Sequence, residues 1–175
     1  MDVAWFDHRE DEDVKYRTFD QSLNTENIPE GLDADVVSVF ASSNVSAEVL
    51  EEIRPEAIVT RSTGFDHIDL GKAKELGIEV YNVPHYGSNT VAEHAFGLLL
   101  TVSKRIIDAA EKTKTKFDSS GLEGLELKGK KLGVVGTGDI GQKAIKMAKG
   151  FEMDVIAYDP YEKEGLEEEL GFMYV

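Results

Sequence analysis

The chain contains no cysteine among its 175 residues. This absence excludes a disulfide scaffold, a thiolate nucleophile and a cysteine-ligated metal centre. Long hydrophobic runs are also missing, since no stretch approaches the roughly 20 apolar residues of a membrane-spanning helix. The acidic N-terminus, MDVAWFDHREDED, does not have the pattern of a signal peptide. Together these absences predict a soluble cytoplasmic protein.

Basic residues are scarce. The chain has 19 Lys and Arg against 34 Asp and Glu, which gives a formal net charge of −15. A nucleic-acid-binding face needs clustered Lys and Arg, and anionic lipid attracts the same residues. The composition therefore argues against both partners. With 41% hydrophobic residues, the chain can nevertheless build a core.

Short β-branched runs alternate with helical stretches along the chain. The pattern predicts strands over residues 3–6, 36–40, 57–60, 79–83, 131–135, 154–158 and 172–175. It predicts helices over 46–53, 69–76, 90–112, 140–149 and 161–170, with a connection over 113–130. Strands that alternate with helices form parallel sheets covered by helices. The sequence therefore predicts an α/β protein made of two units.

The strongest motif is the glycine-rich run GTGDIG at 136–141, which follows a predicted strand and opens a predicted helix. Gly136 permits a tight turn, Gly138 lets the backbone approach a pyrophosphate, and Gly141 allows close packing of the helix on the strand. The helix N-terminus then presents free N–H groups to the phosphates. Asp159, at the end of the next predicted strand, is placed to accept hydrogen bonds from the adenosine ribose. This context predicts a dinucleotide site.

Asp159 also predicts which dinucleotide is bound. A 2′-phosphate would face its carboxylate, and two like charges about 4 Å apart repel by roughly 4 kcal/mol at an effective dielectric of about 20. NAD is therefore expected to be preferred over NADP. A glycine-rich turn in an unrelated α/β protein remains the alternative interpretation of the motif.

The run RSTGFDHID at 61–69 lies at the carboxyl end of a predicted strand, where ligands dock in open α/β sheets. The backbone N–H groups of Ser62, Thr63 and Gly64 could hold a substrate carboxylate. The alternative is an ordinary strand-to-helix loop.

A second loop, 82–90, precedes the long predicted helix. Thr90 and Glu93 there have the spacing of a capping box.

The four histidines, His8, His67, His85 and His94, show no metal-ligand spacing and are interpreted as structural or surface residues. The chain also lacks the G-x-S-x-G pattern of a serine hydrolase. The sequence thus predicts no metal site and no hydrolase nucleophile.

Three runs occur in the order typical of one known family: RSTGFDHID, NVPHYGSNTVAEHAFGLLL and KLGVVGTGDIGQKAIKMAKGFEMDVIAYDP. In these runs the chain resembles the D-isomer-specific 2-hydroxyacid dehydrogenases. Through VVSVFASSNVSAEVLEEI and TRSTGFDHIDL it most resembles their D-lactate dehydrogenase-like branch. The resemblance implies a flavodoxin-like substrate domain over 1–100 and the first part of a Rossmann NAD-binding domain over 101–175, joined by the helix 90–112.

The same resemblance implies site residues and a reaction. It assigns Ser62, Thr63 and Gly64 to the substrate carboxylate and places the Val91 region near the nicotinamide. The residues assigned to NAD are Val91, Gly136, Thr137, Gly138, Asp139, Ile140, Gly141, Tyr158, Asp159 and Pro160. The implied reaction interconverts a small 2-keto acid, similar to pyruvate, and its D-2-hydroxy acid.

The chain departs from the family in two respects. Asp139 stands where many members carry Arg or Lys beside the pyrophosphate. The family's catalytic Arg, Glu and His lie in the second half of the NAD domain and map onto no residue of this chain, so no catalytic residue is assigned. We therefore expect the chain to be inactive alone and to pair with a second copy or with a complementing C-terminal half. A non-catalytic remnant that binds dinucleotide or a partner is the alternative.

The runs LLLTV and KRII on the long predicted helix are apolar enough to form either a dimer contact or part of the core. The all-round apolar stretch AFGLLLTV predicts burial for several turns.

Overall fold

The computed structural model describes residues 14–175, so the strand predicted over 3–6 lies outside the described residues. Internal contacts group the chain into two compact units, Met1–Pro84 and His85–Val175. The division thus falls after Pro84, at the start of the segment that leads into the long predicted helix. Both units are α/β with parallel sheets, as the sequence predicts.

The first unit contains a three-stranded parallel sheet in the order β1 (Val36–Val39), β2 (Ala57–Thr60) and β3 (Glu79–Tyr81). Two helices, α1 (Ala47–Ile53) and α2 (Leu70–Leu76), connect the strands. The core is formed by apolar side chains from the strands, the helices and the loop before α1, among them Val39, Val45, Val49, Leu50, Ile53 and Ile58.

Local sequence signals define α2 closely. The Asp69 side chain accepts a hydrogen bond from the Lys72 N–H at the start of the helix, and Gly77 ends it in the left-handed conformation. The cap of α1 differs from this arrangement. Ser46 stands at the N-cap position but its hydroxyl donates to Glu48 rather than accepting from the helix backbone.

The second unit repeats the alternation of strands and helices. Its elements are α3 (Ser88–Ser103), α4 (Ile106–Thr113), β4 (Lys131–Val135), α5 (Asp139–Gly150), β5 (Asp154–Tyr158), α6 (Leu166–Leu170) and β6 (Met173–Tyr174). The three strands form a parallel sheet in the order β4-β5-β6. Helix α3 packs on α5, and Phe96 stacks on Phe151 with ring centroids 5.6 Å apart.

The single helix predicted over 90–112 is wrong, because the structure divides it into α3 and α4. The Leu125 N–H donates to the Ser103 carbonyl at 2.6 Å, which is the carbonyl that a continuous helix would use for its next turn. Arg105 then takes a left-handed conformation at φ 53° and starts α4. A tertiary hydrogen bond therefore ends α3.

The capping box at the start of α3 is also wrong. The helix begins at Ser88 after Gly87, so Thr90 lies inside it. Glu93 instead accepts a hydrogen bond from the Asn89 side chain.

The predicted burial of AFGLLLTV holds for only one side of α3. Phe96 is buried, whereas Leu98 is 55% and Val102 79% exposed. Within residues 14–175, no helix has the length and apolar character needed to cross a membrane.

Helix α6 is shorter than the predicted 161–170. Tyr161 is held by the Asp159 side chain in a turn, and Gly165 at φ 78° precedes the helix. The segment before Leu166 therefore forms a turn, in which the Tyr161 N–H donates to Asp159 after β5, and does not extend α6.

Candidate functional site

The turn between β4 and α5 is built around three glycines. Gly136 has φ +95°, a conformation that side chains disfavour, and its N–H donates to the Tyr158 carbonyl at 2.8 Å. A Cβ at Gly141 would lie 1.9 Å from the Gly136 carbonyl oxygen, so only glycine lets α5 approach the turn this closely. A Cβ at Gly138 would meet nothing within 4 Å. The turn therefore combines close packing at Gly141 with open space at Gly138.

The N-terminus of α5 is available to an anion. Gly138 occupies the N-cap position, where no side chain caps the helix. The N–H groups of the first turn, at Asp139, Ile140 and Gly141, have no intrahelical acceptor because of their position. Open space and oriented N–H groups thus coincide at the same turn, as a phosphate requires.

Asp159 faces this turn from the end of β5. Its Oδ2 accepts from the Thr137 N–H at 2.6 Å and from the Thr137 hydroxyl at 2.9 Å. Its Oδ1 accepts from the Tyr161 N–H at 2.9 Å. The Thr137 N–H, followed by the Tyr161 N–H and the Thr137 hydroxyl, lowers the pKa of Asp159 below its usual range. The carboxylate is therefore ionised at neutral pH.

Thr137 lies on the inner side of the turn and is fully buried. Its carbonyl accepts from the Gln142 side chain at 2.8 Å. Thr137 thus supports Asp159 from within the protein. The other residues assigned to NAD on the sequence are exposed at the surface of the second unit, namely Val91, Ile140, Tyr158 and Pro160.

Asp139, in the first turn of α5, pairs with His85. The His85 Nδ1 donates to Asp139 Oδ2, and both side chains are well exposed. His85 reaches this position from a left-handed backbone conformation at φ 66°. An exposed pair of this kind contributes at most about 1 kcal/mol to stability. The main effect of the pair is to hold the Asp139 carboxylate at the open N-terminus of α5.

A groove beside α5 surrounds this pair. It is lined by His85, Ser88, Asp139, Gln142, Lys143 and Lys146. Lys146 lies 3.8 Å from Glu169. The two lysines supply positive charge near Asp139 and partly offset its effect on an anion.

In the first unit, a directed chain of hydrogen bonds holds the loop after β2. The Ser62 hydroxyl donates to the Gly64 carbonyl at 2.7 Å. Thr60, which is fully buried, therefore donates to Ser62 across 2.6 Å, and His67 Nε2 donates to Thr60 across 3.1 Å. His67 is thus a structural residue that orients the loop.

Backbone N–H groups at this loop are free to bind a ligand. Over residues 14–175, the N–H groups of Ser62, Thr63 and Gly64 have no acceptor within hydrogen-bond distance. Thr63 is held by its hydroxyl, which donates to the Val83 carbonyl at 3.1 Å, and by its own carbonyl, which accepts from the Asn82 side chain at 2.8 Å. Successive free N–H groups on a fixed loop suit a carboxylate.

The remaining histidines of the sequence are His94 and His8. His94 is exposed on α3, and His8 lies outside the described residues. In the part of the chain that the structure describes, no group of three or more His, Asp and Glu side chains could hold a metal ion.

Four residues that the sequence did not assign contribute to these two loops: Thr60, His85, Gln142 and Tyr174. Thr60 carries a weak sequence signal, because it is a hydroxyl residue at the end of a buried strand. The contribution of Tyr174, whose hydroxyl lies 2.9 Å from that of Thr137, depends on strand pairing and leaves no local pattern.

Fold and site together define a class: an α/β protein with a dinucleotide-type glycine turn and an acidic residue at the end of the following strand. A model of the D-isomer specific 2-hydroxyacid dehydrogenase catalytic domain matches residues 1–168. The chain therefore belongs to this family.

Individual relatives agree with this assignment. The chain is 41% identical to the D-lactate dehydrogenase of Escherichia coli over 145 residues, which are 81% of the chain and 44% of the relative. It is 40% identical to a 2-hydroxyacid dehydrogenase homolog of Haemophilus influenzae, covering 90% of the chain and 48% of the relative. The chain thus spans about half the length of the curated relatives it matches.

The structural comparison gives the same result. The D-lactate dehydrogenase of Aquifex aeolicus, solved in complex with NAD and lactic acid, superimposes with a TM-score of 0.76 at 38% identity. The match covers 86% of this chain and 46% of that one.

Proposed function

We propose that the chain forms the NAD-binding and carboxylate-binding part of a D-2-hydroxyacid dehydrogenase that interconverts a small 2-keto acid and its D-2-hydroxy acid. The observation that carries the proposal is the open turn at Gly138, with Asp159 facing it from β5. A cytoplasmic location, expected from the composition, belongs to the same proposal.

A finer description of the fold is part of this proposal. We assign the first unit to a flavodoxin-like substrate domain and the second to the first part of a Rossmann domain. The sheet orders β1-β2-β3 and β4-β5-β6, with parallel strands throughout, support this assignment. The bounds 1–100 and 101–175 stay a prediction for these two domains. The compact units divide the chain after Pro84 instead, and α3 and α4 replace the single joining helix.

The residues of the glycine turn fit NAD. The N–H groups at the start of α5 bind the pyrophosphate, and the missing Cβ of Gly138 leaves room for it. Asp159 accepts from the adenosine ribose and disfavours a 2′-phosphate by charge repulsion. NAD, when bound, supplies the hydride acceptor or donor of the reaction.

The loop after β2 fits the substrate. The free N–H groups of Ser62, Thr63 and Gly64 bind the carboxylate of the 2-keto or 2-hydroxy acid, and the chain from His67 to Ser62 keeps the loop rigid. A fixed carboxylate orients the reacting carbon, which is how binding contributes to catalysis.

Proton transfer requires groups that we assign to no residue of this chain. We propose that a complementing C-terminal half supplies the acid/base and the substrate clamp. The edge of β4 away from β5 supports this proposal, because among the described residues no strand pairs with it and Val135 at its end is 87% exposed.

A homodimer is proposed on separate grounds. Exposed apolar side chains extend along one side of α3 and continue into α4, namely Leu98, Val102, Ile106 and Ile107. Their exposure favours a contact between copies over a place in the core of this unit.

A second candidate function is non-catalytic binding of a dinucleotide. The observation that favours it is the carboxylate of Asp139 at the pyrophosphate position, which weakens the binding of an anion.

Titration of the purified chain with NADH, followed by fluorescence, tests the NAD-binding part of the proposal. We expect saturable binding and no oxidation of NADH by pyruvate until the C-terminal half of a relative is added. Binding without turnover in that mixture would favour the non-catalytic function. Absence of NADH binding by the chain, alone and in the mixture, would contradict both.

Replacement of Asp139 by lysine is expected to tighten NADH binding about tenfold, which is about 1.4 kcal/mol. The reason is that the pyrophosphate repels the carboxylate of Asp139 but attracts the ammonium group of lysine. The gain should shrink as salt rises from 0.05 to 0.5 M, roughly the range over which exposed charges are screened. Glu123→Lys, the same change in charge at an exposed site in the connection before β4, is the control. An equal gain in that variant would assign the effect to net charge.

A further inference from the structure

Tyr174 lies in the two-residue strand β6 and makes side-chain contacts in addition to its backbone pairing. It pairs with Ala157 through the backbone of β6. Its ring packs edge-on against the ring of Phe172, with the ring centroids 4.8 Å apart. Its hydroxyl extends to the glycine turn and lies 2.9 Å from the Thr137 hydroxyl. The same oxygen accepts from the Lys163 N–H at 3.4 Å.

The direction of these hydrogen bonds is determined by the carboxylate at their end. Ionised Asp159 can only accept, so the Thr137 hydroxyl donates its proton to Oδ2. The lone pairs of that hydroxyl then face Tyr174, which must donate to it. Every donor in the series therefore points towards Asp159.

Two further N–H donors complete the surroundings of the carboxylate. Oδ2 accepts from both the N–H and the hydroxyl of Thr137, which uses its two acceptor positions. Oδ1 accepts from the Tyr161 N–H and, as far as the described residues go, keeps one position open. The carboxylate thus presents one defined acceptor to a ligand.

We propose that Tyr174 is a positioning residue of the dinucleotide site: through the buried Thr137 hydroxyl, it holds Asp159 so that Oδ1 alone receives a ribose hydroxyl. The inference rests on the proposed function, because the ligand is NAD. Tyr174 itself does not contact the ligand in this arrangement.

Tyr174→Phe tests the proposal because it removes the hydroxyl and keeps the ring on Phe172. We expect NADH to bind about fivefold more weakly, since the Thr137 oxygen loses its donor and hydrogen bonds in a series strengthen one another. Tyr81→Phe is the matched control, because its hydroxyl also donates to a carboxylate, that of Glu79, on the sheet of the first unit. The control should bind NADH as the parent chain does.

A double-mutant cycle separates this role from a general loss of structure. Thr137→Val removes the hydroxyl that links Tyr174 to Asp159. In this background Tyr174→Phe should therefore change the dissociation constant of NADH by less than about twofold. An effect of Tyr174→Phe that is as large in this background as in the parent would overturn the proposal.

A titration gives a readout that does not need the ligand. In protein labelled with carboxyl-¹³C aspartate, the resonance that Asp159→Asn removes identifies Asp159. Tyr174→Phe should move its titration to higher pH, because a donor that favours the ionised form is weakened. An unchanged titration overturns the proposal. If the parent chain binds no NADH, the proposed function fails, and this titration still decides whether Tyr174 holds the carboxylate.

Discussion

Gly141→Ala should destabilise the second unit by about 3 kcal/mol or more, as overpacking against backbone does. The added methyl would lie 1.9 Å from the Gly136 carbonyl oxygen, and backbone cannot move aside as a flexible side chain can. Separation of α5 from β4 would also misplace the N–H groups at the start of the helix. We therefore expect NADH binding to be lost together with stability.

Urea unfolding followed by circular dichroism measures the loss, and Gly138→Ala is its matched control. The methyl in that variant meets nothing within 4 Å, and φ of −68° suits alanine. It should keep its stability within about 1 kcal/mol, the usual range at an N-cap, yet bind NADH poorly because the methyl occupies the space of the pyrophosphate. Parent-like stability of Gly141→Ala would contradict the close approach of α5 to the turn.

Asp159→Asn should weaken NADH binding about tenfold, or about 1.4 kcal/mol. Three donors converge on the carboxylate, two from Thr137 and one from Tyr161. An amide has one oxygen, so in either orientation its NH₂ group faces one of these donors. Discrimination against NADPH should fall at the same time by at least about tenfold, since the charge that repels a 2′-phosphate is gone.

The ratio of the dissociation constants of NADPH and NADH, measured by fluorescence titration, tests this result. Asp154→Asn is the control, because it removes a carboxylate at the opposite, exposed end of β5. An unchanged coenzyme ratio in Asp159→Asn, with weaker binding of both coenzymes, would mean that the residue only supports the turn.

Elements with local signals were predicted closely. The predicted bounds of β2, β4 and β5 are confirmed. They could be predicted because each strand is a short β-branched run between polar or glycine-containing segments. The end of α3 was not predictable in this way, since the donor that stops it at Ser103 belongs to Leu125. Hydrogen bonds across such sequence separations leave no local pattern.

The same distinction applies to the candidate site. The glycines and Asp159 are predicted from their spacing along the chain, which is typical of dinucleotide binding. His85 and Asp139 are 54 residues apart, and Thr137 and Tyr174 are 37 apart. These pairs exist only in the folded unit. The sequence therefore indicated Thr137 and Asp139 but not their partners Tyr174 and His85.

Within residues 14–175, no strand pairs with the outer edge of β4, and this has a consequence for the behaviour of the chain in solution. Free N–H and C=O groups beside exposed Val135 form a template for edge-to-edge aggregation. At neutral pH the net charge of −15 opposes aggregation through this edge. Near the isoelectric point of about 4.6 that repulsion vanishes, so mildly acidic buffers favour precipitation through this edge.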